Sequence, residues 1–326
     1  MCIRDRSSFS KFTEDLIKSK TLEDDVAEII GKSVSEASSP YDMELRSSKT
    51  KVHVPVHSFI LAGRSPVLRH ALRQFHSNGS FELGGFLTIE STPAGPTVIV
   101  LQDMDLLTLL NLAHFLYTDY VLNVWDYPLR SGRKADKEYF MEVRSELMKL
   151  AARLEIPDLE VNARLMTMNS RLSLCRNLED ALASPDYLKG GDLLVRLSDG
   201  EMLVHRALVC ERCPYFETLF QGRSEGLWLQ GRIRDSSAPI SVDLTEEVDC
   251  KTFGLVLRHI YGDAGHEIFD EIVADDLDEF LDCVMGVLIA AEYLMLKRLL
   301  QICQEVIGHY GMYFVAALLT AITDIF

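Results

Sequence analysis

His57-Ser58-Phe59-Ile60-Leu61-Ala62-Gly63-Arg64-Ser65-Pro66-Val67-Leu68 returns 148 residues later as His205-Arg206-Ala207-Leu208-Val209-Cys210-Glu211-Arg212-Cys213-Pro214-Tyr215-Phe216. His, Arg and Pro coincide, and Ile60/Leu208, Leu61/Val209 and Leu68/Phe216 agree in type. Two more blocks follow in the same order. Phe115-Leu116-Tyr117-Thr118-Asp119 matches His259-Ile260-Tyr261-Gly262-Asp263 at an offset of 144. Leu150-Ala151-Ala152-Arg153-Leu154 matches Ala290-Ala291-Glu292-Tyr293-Leu294 at an offset of 140. Ordered blocks with a small, steady drift mark an internal repeat, so the chain reads as two copies of one domain of about 120 residues.

Composition bounds what such a chain does. Of its 326 residues, 48% are hydrophobic and 25% charged, enough apolar content for sizeable cores and too much for a wholly disordered chain. Asp plus Glu outnumber Lys plus Arg 49 to 33, a formal net charge of −16. That excess opposes sequence-independent nucleic-acid binding, which needs cations to displace phosphate counterions. It also disfavours docking on anionic membranes. The start, Met1-Cys2-Ile3-Arg4, has no apolar signal core, and no run reaches the ~18 apolar residues of a membrane helix. Seven scattered cysteines, an odd number, suit a reducing compartment. The expectation is a soluble intracellular protein of the cytoplasm, with the nucleus the second candidate.

Each copy reads as α+β and helix-rich. The second opens with Asp192–Leu197, a Ser198-Asp199-Gly200 turn and Glu201–His205, a hairpin signal. The first has Met43–Arg46, a longer polar turn and Val52–Val56. A helix runs from each His through the apolar triplet. Ser65-Pro66 then predicts a second helix, Ser as N-cap and Pro at the first helical position, and Cys213-Pro214 keeps the Pro. Leu68, Leu72 and Phe75 follow at i, i+4 and i+7. Third strands fit Thr97–Leu101 and Ile240–Leu244, giving a small three-stranded sheet in each copy. Further helices are expected at Leu106–Tyr117, Leu147–Leu154, Leu159–Met166, Phe253–Tyr261, Leu281–Leu294 and Leu296–Ile307. Residues 1–40 are a polar tail with a short amphipathic helix, 41–170 the first domain, 171–185 a linker and 186–306 the second domain. Residues 128–138 read as a solvated loop, and Leu83-Gly84-Gly85-Phe86 as a turn. The apolar run in 307–326 reads as the start of a further helical segment, so the sequence is expected to be part of a longer protein.

The hairpin, the H-x-x-[IL]-[LV]-x-x-R-x-P-x-[LF] phrase, the strand and a helix ending in [LI]-Y-x-D resemble the BTB/POZ domain, here over 41–166 and 186–306. The recurrent positions are His57, Arg64, Pro66, Tyr117 and Asp119, then His205, Arg212, Pro214, Tyr261 and Asp263. Ile260–Asp263, the acidic insert after it and Ala290–Glu305 are similar to the second domain of tandem-BTB proteins of the inhibitor of Bruton tyrosine kinase family. In that family the pair follows ankyrin and RCC1-type repeats, which this sequence lacks; the tail 307–326 would begin a BACK-like segment. The resemblance implies a non-catalytic module for protein binding and dimerisation, a substrate adaptor of a cullin-3 RING ubiquitin ligase. It implies cullin-3 as partner, with BTB–BTB pairing between chains or within one, and no cofactor. The cullin face it implies comprises Phe216, Leu219, Phe220, Glu225 and Tyr261. The loop departs from the family pattern, because Arg223 stands where an apolar anchor precedes the Glu; Leu227 and Trp228 follow. The first copy has no Glu in Phe75–Ser80. The alternative is a scaffold, or a kinase-inhibitory signalling protein, without cullin binding.

Other constellations have plainer readings. Cys210-Glu211-Arg212-Cys213, five residues after His205, is a CxxC, but zinc needs four ligands and the first copy replaces both cysteines with Ala62 and Ser65. Small buried thiols are expected. His57 and His205 are expected to be structural, since neither copy repeats a nucleophile and an orienting acid around them. Asp263 to Asp282 holds nine acids and no Lys or Arg. A solvated loop leading into a helix N-terminus explains most of this, and a docking strip for a basic partner is the other reading. Phosphate-binding glycine motifs are absent.

Overall fold

The computed structural model describes residues 41–323, except 92–95, 123–132, 166–172, 185, 222–238, 245–247, 271 and 275. The helix expected within 1–40 lies outside the described residues. The chain divides into two compact units between Gly191 and Asp192, each helix-rich α+β with a small mixed sheet.

In the first unit, β1 (Met43–Ser47) pairs antiparallel with β2 (His53–Val56) and parallel with β5 (Thr97–Leu101). Met43, Leu45 and Ser47 alternate inward along β1, so its register is fixed by burial. The sheet has two more strands than the three expected, β3 (Phe81–Leu83) and β4 (Leu87–Glu90), and its order is β2-β1-β5-β4-β3. The expected turn joins them. Gly84 and Gly85 take φ of 52° and 67°, the two positive values a tight hairpin demands, while Leu87 and Ile89 point into the core. Three residues of β3 are too few to show alternation, which is why the hairpin was not legible.

Helices α1 (Ser58–Arg64), α2 (Pro66–Asn78), α3 (Leu106–Thr118), α4 (Lys134–Arg153), α5 (Pro157–Leu165) and α6 (Leu174–Leu182) complete this unit among the described residues. α2 starts as its sequence predicts: the Leu68 N–H donates to Ser65 Oγ at 3.1 Å, and Pro66 stands first. α4 begins at Lys134, inside the stretch expected to be a loop. Val143, Leu147, Leu150 and Ala151 give it a buried stripe. Within the expected linker 171–185 lies α6. Leu174, Leu178 and Ala181, at i, i+4 and i+7, are buried, so this segment is packed into the first unit rather than running free. α6 meets α1 at Gly63, where an added Cβ would sit 2.3 Å from Leu178 Cδ2 and would push that side chain aside. Tyr187 also donates to the Phe59 carbonyl at 3.1 Å.

The second unit repeats part of the strand order. β6 (Leu193–Arg196) lies between antiparallel β7 (Glu201–Val204) and parallel β8 (Ile240–Asp243). Around the sheet stand α7 (Arg206–Arg212), α8 (Pro214–Gln221), α9 (Cys250–Gly262), a short turn of 3-10 helix at His266–Phe269, α10 (Leu277–Tyr293) and α11 (Lys297–Thr323). α11 runs unbroken through 306/307, where a segment boundary was expected. Among the described residues no helix is long and apolar enough to cross a membrane.

Candidate interaction surfaces and the polar network beneath them

The recurrent sequence positions form one polar network, built twice. In the first unit Tyr117 Oη accepts the His57 backbone N–H at 2.8 Å and lies 2.8 Å from His57 Nδ1. Tyr261 does the same for His205, at 2.9 Å for both contacts. Both phenols are fully buried, and desolvation raises their pKa. Burial pushes His205 down to about 3, so it is held as a neutral imidazole beside the phenol. Each histidine is thus a pin between a helix start and a distant helix.

The arginines and aspartates pair as well. Arg64 forms a buried ion pair with Asp119 and donates to Ser173 Oγ at 3.1 Å. Asp119 also accepts the Ser173 and Leu174 N–H groups at 2.6 and 2.7 Å, which ties α6 to α3. In the second unit Arg212 reaches Asp263 at 2.5 Å, and Arg298 reaches the same carboxylate at 2.9 Å. Asp119 and Asp263 each close their helix in the left-handed region, with φ of 61° and 52°. Pro66 and Pro214 each open a helix. Ser65 Oγ donates to the Leu154 carbonyl at 2.6 Å, and Cys213 Sγ faces the Leu294 carbonyl at 3.4 Å, so thiol stands in for hydroxyl. Cys210 and Cys213 are buried and free, and burial pushes both thiols up to about 12. Among the described residues no three His, Cys, Asp or Glu side chains gather as metal ligands.

Sequence reasoning missed one pair of this network. Asp42 Oδ1 accepts the Ser58 N–H at 2.9 Å, and Asp192 Oδ1 accepts the Arg206 N–H at 2.8 Å. Each aspartate precedes the first strand of its unit by one residue and caps the first helix from across the hairpin. The recurring Asp before each hairpin was a usable signal.

The face assigned to cullin is mostly interior. Phe216 and Tyr261 are 0% exposed and Phe220 is also buried, so these three fill the core and do not present a contact surface. On α8, Phe216 and Phe220 alternate with exposed Glu217 and Thr218, where the helical period turns the large rings inward. Leu219 is half-buried, and Glu225 lies outside the described residues with Arg223, Leu227 and Trp228. The apolar surface sits elsewhere. Met285, Ile289, Tyr293 and Met295, along α10 and just past it, are 42%, 47%, 38% and 43% exposed. The Tyr293 ring lies 5.3 Å from that of Tyr215 on α8, so the patch continues toward Leu219. The first unit provides an internal control. At the offset of 140 its equally exposed positions are Ser145, Lys149, Arg153 and Glu155. At those four positions the first unit is polar, and its own exposed apolar side chains, Tyr139, Met141, Val161 and Leu165, stand at other positions.

A family model for the BTB/POZ domain matches residues 186–310. The BTB/POZ domain-containing protein 1 of Schizosaccharomyces pombe is 28% identical over 252 residues, 76% of this chain and 17% of that protein. The chain thus spans less than a fifth of that relative's length. A solved BTB domain of zebrafish PATZ1 shares 21% identity, with coverage of 44% of this chain and 99% of its own and a TM-score of 0.27. The chain contains a BTB/POZ domain over residues 186–310, a module that implies binding to protein partners.

Proposed function

We propose that the chain is a non-catalytic adaptor: its second unit docks cullin-3, and its first unit is a second BTB module that pairs rather than docks. The observation that carries this is the contrast on one helix position, Met285, Ile289, Tyr293 and Met295 against Ser145, Lys149, Arg153 and Glu155. Exposed apolar side chains that the fold does not need are a mark of an interface. The shared hairpin-plus-parallel-strand order and the duplicated His–Tyr and Arg–Asp contacts support a common origin for the two units. The assignment to cullin-3, rather than another protein, rests on the family resemblance.

The test is size-exclusion chromatography and calorimetry of the 326-residue chain with a cullin-3 N-terminal domain. A complex is expected at micromolar concentration. The pair Ile289→Lys with Tyr293→Arg gives the second unit the first unit's chemistry and should weaken binding at least about tenfold, or ~1.4 kcal/mol. Absence of any complex would overturn the cullin assignment. Concentration-dependent self-association without cullin would then favour the scaffold reading, which Arg223 at the apolar anchor position already supports.

A further inference from the structure

Between the His266–Phe269 turn, the start of α10 and α11 lies a groove of about 730 Å³. The rings of Phe269, Phe280 and Tyr310 wall it, together with the imidazoles of His266 and His309. Phe280 and Tyr310 meet with centroids 5.0 Å apart at 61°, and Phe269 and Phe280 at 6.4 Å and 73°. Two carboxylates, Asp270 and Glu305, stand on the same lining, and no Lys or Arg does. Glu305 contacts His266 Nε2 at 3.1 Å. Among the described residues no Lys or Arg pairs with either acid. The groove also sits in the 263–282 stretch of nine acids without a Lys or Arg. Ring faces carry negative potential, so rings and carboxylates here favour the same sign of ligand charge.

We propose that this groove binds a basic side chain, arginine in preference to lysine, on a segment of a partner protein. A guanidinium is flat and weakly hydrated, so it can lie on an aromatic face while its N–H groups donate to carboxylates. An ammonium gains less from such a wall. The volume exceeds what one guanidinium fills, and Ile272 and Val306 offer apolar flanks for neighbouring parts of the segment. This goes beyond the cullin reading and does not rest on it.

The experiment is methyl NMR on the full chain labelled at Ile and Val, titrated with capped Gly-Arg-Gly, Gly-Lys-Gly and Gly-citrulline-Gly. Citrulline keeps the shape of arginine without its charge. The arginine peptide should shift the Ile272 and Val306 methyls and saturate at millimolar concentration. The lysine peptide should bind more weakly, and the citrulline peptide about tenfold more weakly or worse. Asp270 and Glu305 are exposed, so Asp270→Asn with Glu305→Gln keeps the fold and should weaken the arginine peptide by a similar about tenfold factor. Equal binding of arginine and citrulline peptides, an unchanged affinity in the double variant, or no shift at Ile272 and Val306 up to about 10 mM peptide would overturn the proposal.

Discussion

Arg64 and Arg212 hold the same place in the repeat but not the same electrostatic setting. Arg64 is the sole basic partner of the buried Asp119 among the described residues, whereas Asp263 has both Arg212 and Arg298. Removing one member of a buried pair leaves an uncompensated charge. Arg64→Met should therefore cost the first unit about 3–5 kcal/mol, and Arg212→Met in the second about half that or less. Urea midpoints for each unit check the order; equal losses would contradict it. The two buried histidines of the second unit give a pH dependence. Burial lowers His205 to about 3 and His259 to about 4, from 6.5. Between those values the unfolded chain binds protons that the folded unit refuses, so stability falls as pH falls below about 6.5. From about pH 7 to pH 5 the loss should be roughly 2 kcal/mol per histidine. His259→Asn keeps a donor for the Ala264 carbonyl, which His259 Nδ1 meets at 2.8 Å, and should remove about half of that acid-linked loss. An identical acid limb in wild type and variant would refute the assignment.

At the scale of elements, the paired helix connections carry a common strain. Glu155 and Met295 stand at the same place between α4 and α5 and between α10 and α11, with φ of 54° and 60°. Side chains with a Cβ tolerate that region poorly. Glu155→Gly should stabilise the first unit by about 0.5–1 kcal/mol, read as a raised denaturant midpoint at unchanged slope. Ser65 links two elements at once, capping α2 and donating to the Leu154 carbonyl. Ser65→Ala should cost about 1–3 kcal/mol, since it leaves a buried acceptor as well as a frayed helix start. The elements also show where local patterns suffice. The start of α2 was legible from Ser65-Pro66 because capping is local chemistry. The additional β3–β4 hairpin, the early start of α4 and the role of α6 were not. Their polar or short sequences acquire a fixed place only when a neighbour buries one side of them, as Gly63 does for Leu178.

For the whole molecule, each compact unit has its own core and its own polar network. Unfolding by urea should accordingly proceed in two transitions, Arg64→Met moving one and the histidine substitution the other. A single transition that both substitutions move alike would show that the units unfold together. The sequence alone determined the two hairpins at Met43–Val56 and Leu193–Val204, the helix-rich character and the identity of the His, Arg, Tyr and Asp positions. Those follow from local propensity and from spacing, which survive in one dimension. Only the tertiary structure decided that Phe216, Phe220 and Tyr261 face inward, that Met285, Ile289 and Tyr293 face outward, and that the aromatic and acidic groove exists. Side-chain direction depends on which helix covers which, and burial in a packed core is a property of contacts far apart in the chain. The same apolar stripe on α10 reads as core or as interface until its neighbours are known.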